Sequence, residues 1–448
     1  MSRPALLIAS LLLFSLFGSG CATYSEQVES ATKQVSVGNY RGGIDDLNEI
    51  LDVGSIDELP ESWNSEQPLA VLERGSLLQA IEDYKGSSRD LGAGETELEL
   101  LDYKADVGGT IGEFIYSDSA KDYKTPPAER LALNSVNMLN YLALGDWSGA
   151  AVEARAFTVM REYLESVGLE RPGVFGSYLA GLTFERLGEG NRALRYYEEA
   201  MAAGVFPTLR EPVTRLAGSN PYRGPRIREL LGDGPLAGGA SAPTEIVTVV
   251  SLGRVPRKVP ERMPIGAAIG IAGTYITGNP QVLARSVFKV VVYPDLVASG
   301  SQARDAAVEI DGRKVPIDRV ASIGSDIRKE YDRLKPRIIG SALTRMIARA
   351  VAAEGARVAG QQAGGGLGAV IGLVAALGTE AALVGLDKPD TRSWTMLADH
   401  VLISRAVVAP GEHTVGVSIS GPGLKVDRAF QVTLQPGQAA VVVVTEPR

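Results

Sequence analysis

Along the first half of the chain, apolar positions recur at helical spacing behind a repeated turn. Gly38-Asn39-Tyr40 precedes Ile44, Leu47 and Leu51; Gly145-Asp146-Trp147 precedes Ala150, Ala151 and Ala154; Gly188-Glu189-Gly190 precedes Ala193, Tyr197 and Ala200. Glu82-Asp83-Tyr84, preceded by Leu72, Leu77 and Leu78, is a weaker copy. A glycine in the left-handed conformation ends one helix, and a small residue five places later lets the next pack closely on it. The second half changes period. Val415, Val417 and Ile419 alternate with Thr414, Gly416 and Ser418, and Phe430, Val432 and Leu434 alternate with Gln431 and Thr433. A period of two predicts half-buried antiparallel strands.

Further β-type runs are Ile246 to Leu252, Val287 to Tyr293, Ala307 to Ile310, Lys314 to Ile317, Val401 to Val408 and Ala439 to Thr445. Asp311-Gly312 supplies the positive φ angles of a tight hairpin. About seven strands at this spacing predict a small antiparallel β-sandwich, immunoglobulin-like or transthyretin-like. The helical half is more specific. Tyr178 to Gly204 resembles the tetratricopeptide consensus, with Gly181, Phe184, Gly188, Ala193, Tyr197 and Ala200 at matching places. The turns are about 44, 63 and 43 residues apart rather than the ideal 34, so the repeats are degenerate. Ordinary helical hairpins with glycine turns are the alternative.

The expected organisation is a multidomain α plus β chain: a leader over 1–20, tetratricopeptide-like helical repeats over 21–230, a linker over 231–243 and a β-sandwich-like domain over 244–448. Leu231 to Pro243 is rich in Gly, Ala and Pro, as linkers are. The sandwich is interrupted by a helical insertion over 322–386. There Ile327, Tyr331, Leu334 and Ile338 sit at helical spacing, Pro336 and Gly340 predict a kink, and Leu343, Ile347 and Val351 resume the stripe. Gly364-Gly365-Gly366 makes a turn before the apolar run Leu367 to Leu386, which contains the small-residue pair Gly368 and Gly372. Glu380 within that run is costly in lipid, which favours a buried hairpin over a membrane contact. Pro264 to Gly278 is a second Gly/Ala stretch, read as a mobile loop or a short helix over the same surface.

The leader adds a location. Arg3 carries the positive charge, and Ala5 to Phe17 is a run of about 13 apolar or small residues, as in a secretory signal. A permanent span needs roughly 20. Gly18-Ser19-Gly20 then lead to Cys21, the only cysteine of 448 residues. A lone cysteine at that junction is the candidate lipidation site of a bacterial lipoprotein, although Gly18 stands where such signals usually carry Leu. Acyl chains add about 0.8 kcal/mol per buried CH2. Ala22 follows, not the Asp of inner-membrane retention, so the expected destination is the outer membrane, facing the periplasm.

Charge and chemistry narrow the function. Formal charge is -8, and residues 22–130 hold roughly 23 acids against 9 bases. There is no polybasic run, and aromatics are 6%, which argues against nucleic acid. The two histidines, His400 and His413, form no zinc set with Cys21. No nucleophile elbow or Walker-type glycine loop is present. No catalytic, metal or cofactor residue is assigned. Asp390, Arg392 and Trp394 are the candidate structural cluster, pinning the insertion to the sheet. The candidate partner contacts, on the concave repeat face, are Tyr141, Trp147, Tyr178 and Tyr197.

Several short motifs resemble a family of uncharacterised bacterial envelope lipoproteins. They are Leu72-Glu73-Arg74-Gly75, Asp83-Tyr84, Asn140 to Asp146, Val152-Glu153-Ala154-Arg155, Asp390 to Trp394 and Pro410-Gly411-Glu412-His413. Members of that family look like tetratricopeptide-type lipoproteins, often encoded near lipoproteins resembling activators of penicillin-binding proteins. The resemblance implies a non-enzymatic scaffold that binds an envelope protein, linked to peptidoglycan synthesis. The alternative is a homo-oligomeric membrane-associated assembly, or a pore or export component, using the Gly/Ala-rich hairpin.

Overall fold

Four helical hairpins share one turn geometry, and that turn is written in the sequence. The structure, a computed structural model, describes residues 23–98, 125–166, 173–232, 241–281, 283, 289–362 and 389–448. Cys21, the leader and 363–388 lie outside the described residues. After the short α1 (Tyr24–Gln27), the hairpins are α2 (Glu29–Ser36) with α3 (Tyr40–Leu51), α4 (Gln67–Ala80) with α5 (Tyr84–Glu97), α6 (Pro127–Ala143) with α7 (Trp147–Ser166), and α8 (Val174–Arg186) with α9 (Gly190–Ala200). Gly38, Gly145 and Gly188 are left-handed at three turns, and Glu82 takes that conformation at the second, with φ 67°. The next residue caps the following helix: Asn39 accepts from the Gly42 N–H, Asp83 from Gly86 and Asp146 from Gly149. Such caps satisfy N–H groups that a helix start leaves unpaired. Gly181 is needed for close approach, because a Cβ there would lie 2.5 Å from the Tyr197 ring. Helices α10 (Arg210–Ser219) and α11 (Pro225–Leu231) follow.

The strands are β1 (Glu245–Leu252), β2 (Arg257–Pro264), β3 (Val290–Val297), β4 (Asp305–Ile310), β5 (Arg313–Val315), β6 (Ile317–Ser322), β7 (His400–Val407), β8 (Gly411–Gly421), β9 (Leu424–Leu434) and β10 (Ala439–Glu446). Among the described residues two α-helices interrupt them, α12 (Ile265–Ala272) and α13 (Ile323–Gln362). One sheet runs β10-β1-β7-β6, a second β5-β4-β8-β9, and β2 with β3 makes a separate ribbon. The expected wholly antiparallel arrangement is corrected: β10 pairs parallel with β1, Val247 beside Val441. The last strand comes home beside the first after long crossovers, which is what a parallel pair requires. Asp311 and Gly312, with φ 51° and 75°, turn β4 into β5. The sequence pattern missed β2 and β6. In β2 two prolines and four charged residues hide the strand, and Pro260 is paired with Pro294, so both missing N–H groups fall on one rung.

The first sheet is covered on both faces, which explains the unbroken apolar runs of β1 and β10. Val247, Val249, Val401, Ile403, Val441 and Val443 join the core of the helical hairpins. Ile246, Val250, Leu402, Val442 and Val444 face the other way and pack with Val308, Val415, Val417, Ile419 and Leu434 of the second sheet. One apolar cluster therefore contains side chains from both halves of the chain. Helices α4 and α6 pack on β10 and α8 packs on β6, and every residue of α4 is buried. A third cluster stands apart: Ala268, Ala272, Tyr293 and the α13 side chains Ile338, Ile339, Leu343 and Ile347. α13 is one helix with Pro336 inside it. Its start, at Ile323, belongs to the main core.

Candidate cleft and the contacts that frame it

Where the concave face of the hairpins was expected to meet a partner, the chain's own sheet sits. Tyr178 and Tyr197 are both 0% exposed, with ring centroids 6.1 Å apart in an edge-on contact. Tyr178 shares a hydrogen bond of 2.9 Å with Thr208, and the Tyr197 hydroxyl donates to Glu185. Their assignment as partner contacts is corrected, because neither presents surface. Tyr141 and Trp147 are half-buried at the α6–α7 turn, packed on the edge of the main core. The four aromatics therefore form no common face.

A buried ionic network ties α8 to the sheet. Arg405 on β7 donates from Nε to Glu245 Oε1 at 2.6 Å and from Nη2 to Oε2 at 2.8 Å. The same Nη2 reaches both Glu185 oxygens at 3.2 and 3.1 Å, and Nη1 donates to the Tyr197 hydroxyl at 2.9 Å. Arg186 adds a bond to Glu245 and Arg215 one to Glu185. Burial pushes the Glu245 carboxyl up, but the Arg405 and Arg186 charges outweigh it and hold the group below its ordinary range.

Asp390, Arg392 and Trp394 lie on an irregular strap, residues 389–399, between helices and ribbon. Arg392 grips Asp390 with both ends of its fork, at 2.9 and 2.8 Å, and the buried Lys258 of β2 donates to the Arg392 carbonyl at 2.9 Å. Burial raises the Asp390 carboxyl, and the Arg392 bonds and charge bring it below its usual value. Trp394 is 0% exposed; its Nε1 donates to Ser76 Oγ at 2.9 Å and its backbone N to Glu129 at 3.3 Å. Glu73 on α4 accepts the Thr395 N–H and hydroxyl at 2.7 and 2.8 Å and the Met396 N–H at 2.6 Å. Sequence analysis missed Glu73 as a site residue. Its signal was an acid in a helix without a polar face, visible only as part of Leu72 to Gly75.

His400 lies at the start of β7, 3.3 Å from Asp399. His413 on β8 joins Asp311 of the hairpin turn at 2.7 Å, and that bond raises its ring value. Both therefore have structural partners of their own.

Two buried carboxyls make stability depend on pH. Burial pushes Glu73 up to about 8 against its three hydrogen bonds. Burial likewise lifts Glu153 to about 7, with Glu95 adding to the rise and Asn134 and Asn137 opposing it. A raised folded-state value means that the native chain holds protons which the unfolded chain releases, so stability is lost as pH rises through it. The urea midpoint should fall between pH 5 and pH 8. Glu73→Gln should flatten that slope, and an unchanged slope would place the titration elsewhere.

A sizeable opening lies between the two halves. It has a volume of about 340 Å³ and is lined by α6, the start of α8, the turn after α9, β6 and the start of α13. Ala128, Leu131, Ala132 and Ser135 contribute one face of α6, the spacing that keeps side chains on one side of a helix. Val174, Phe175 and Phe206 line the far wall, and Arg319, Asp326 and Lys329 stand among the lining residues from β6 and α13. Lys329 pairs with Asp326 at 3.5 Å and Arg319 with Asp305 at 3.0 Å. An apolar cleft of this volume with a few polar groups suits a small ligand or the anchor side chain of a peptide. Among the described residues no group of three or more His, Cys, Asp and Glu is placed to hold a metal ion. Comparison of the chain with protein-family models, curated proteins and solved structures finds no match in any of the three.

Proposed function

We propose that this chain is a non-enzymatic scaffold of the cell envelope, held in the outer membrane through acylated Cys21 and facing the periplasm. Its cleft takes an apolar segment of an envelope protein. The observation that carries this reading is the half-open apolar cleft between helical hairpins and sheet, flanked by Arg319 and Lys329. The hairpins are degenerate tetratricopeptide-type repeats whose inner face is closed by the chain's own strands, so contact with a partner moves from the concave face to the cleft. The resemblance of short motifs to envelope lipoproteins supports a link to peptidoglycan synthesis.

Two measurements test this. Radiolabelled palmitate should join the wild-type chain and not Cys21→Ser; a label on neither removes the anchor. A photo-crosslinking residue at Ala203, an exposed lining position, should capture one envelope protein in intact cells. The same residue at Val37, which is 75% exposed and not in the cleft lining, should not capture it. Equal capture from both positions, or none from Ala203, overturns the cleft as the contact.

A further inference from the structure

The β2–β3 ribbon, α12 and α13 beyond Pro336 form an arm with its own small core. α12 consists only of Ile, Gly and Ala. Ala268 and Ala272 are buried, while Ile271 is 45% and Tyr275, just beyond the helix, 43% exposed. Among the described residues around this apolar surface the charge is one-sided. Over residues 260–281, 289–293 and 336–351 there is one acid, Glu261, against five bases, Arg262, Lys289, Arg337, Arg345 and Arg349. The whole chain is at -8. Tyr275 lies across α13 where Gly340 leaves room, since a Cβ there would sit 2.7 Å from Tyr275 Cβ. The Arg337 guanidinium stands 5.5 Å from the Tyr275 ring centre.

Exposed isoleucine beside an aromatic and several bases is the composition of a segment that lies in a bilayer interface, where apolar burial and attraction to anionic headgroups add. No described helix is long and apolar enough to cross a membrane. The path of the N-terminus agrees. α1 packs on β2, and the Ser25 N–H donates to Thr391 on the strap. Arg257, the first residue of β2, lies close enough to α2 to lower the Glu29 carboxyl, behind the larger effect of Lys33. Thr23, where the described chain begins, is thus at the root of the arm, two positions after Cys21.

We propose that α12 and the bases around it are a second membrane contact, recognising the surface of an anionic lipid bilayer. This rests on the envelope reading for its location but not on the acyl anchor. The test uses the mature chain from position 21 with Cys21→Ser, so that no acyl group contributes, mixed with vesicles of phosphatidylethanolamine and phosphatidylglycerol or of phosphatidylcholine alone. The chain should float with anionic vesicles at least tenfold more strongly than with neutral ones, and raised salt should weaken the binding. Ile271→Asp should reduce binding tenfold or more with the circular dichroism spectrum intact. Arg262→Glu with Lys289→Glu, both exposed positions, should abolish the preference for anionic lipid. Val37→Asp should change nothing. Absent binding, equal binding to both vesicles, or binding indifferent to Ile271→Asp overturns the proposal. So does a concentration-dependent dimer lost on Ile271→Asp without vesicle binding, which assigns the face to a second copy. Failure of palmitate labelling overturns the anchor alone, because the chain tested here carries no acyl group.

Discussion

Arg405→Leu should lower the free energy of unfolding by about 3–5 kcal/mol, the usual result when one partner of a buried ion pair is removed. Arg405 has a side chain 3% exposed, between Glu185 at 0% and Glu245 at 2%. Without the guanidinium Glu245 keeps only Arg186, and Glu185 keeps Arg215 and the Tyr197 hydroxyl. Lysine is no substitute, because one ammonium cannot make the fork that reaches both acids. Arg405→Lys should therefore lose most of the same stability in urea unfolding. Glu245→Gln combined with Arg405→Leu should cost less than the two changes separately, since neighbours in one network couple. Additive losses would mean that the bonds are geometric neighbours without shared energy. The Glu245 contribution is present above the ordinary carboxylate range and disappears as pH falls through its depressed value.

Trp394→Ala should destabilise by about 3–5 kcal/mol, as large-to-small changes of buried aromatics do. Trp394 heads the largest fully buried side chains, and its loss opens a cavity where strap, α4 and α6 meet. It also removes the donor to Ser76, itself buried. Trp394→Phe should recover part of the loss by refilling volume without restoring that bond. Both variants should unfold in one transition, since Trp394 belongs to the cluster that contains helix and strand side chains together. A change below 1 kcal/mol for Trp394→Ala would show that the strap adds little to the joint.

The hairpin turns were legible because their chemistry is local. A left-handed residue stands at each of the four, and a capping side chain follows it at three, Gly38-Asn39, Gly145-Asp146 and the weaker Glu82-Asp83, whereas Glu189 makes no cap bond. The Asp311-Gly312 turn and the alternation in β8 and β9 were legible for the same reason, because one face of each strand is open to solvent. β2 was not, since its pairing depends on β3 across an intervening helix, and its prolines mask the pattern. β6 is short and follows β5 directly, so the two merge in sequence. The cleft had no signature at all, for its walls come from α6, α8, β6 and α13, far apart along the chain.

The aromatic residues divide the two kinds of information most clearly. Sequence determined that Tyr178 and Tyr197 belong to one helical hairpin with small residues opposite, because close helix packing is encoded by Gly181 and Ala193 within a few turns. Only the tertiary structure decided that they face Arg405 and not a foreign protein. Periodicity states that a face is apolar, whereas what covers the face depends on where distant segments return. Here the returning segment is β7 of the same chain, drawn in by buried charges whose partners lie 160 and 220 residues apart in sequence.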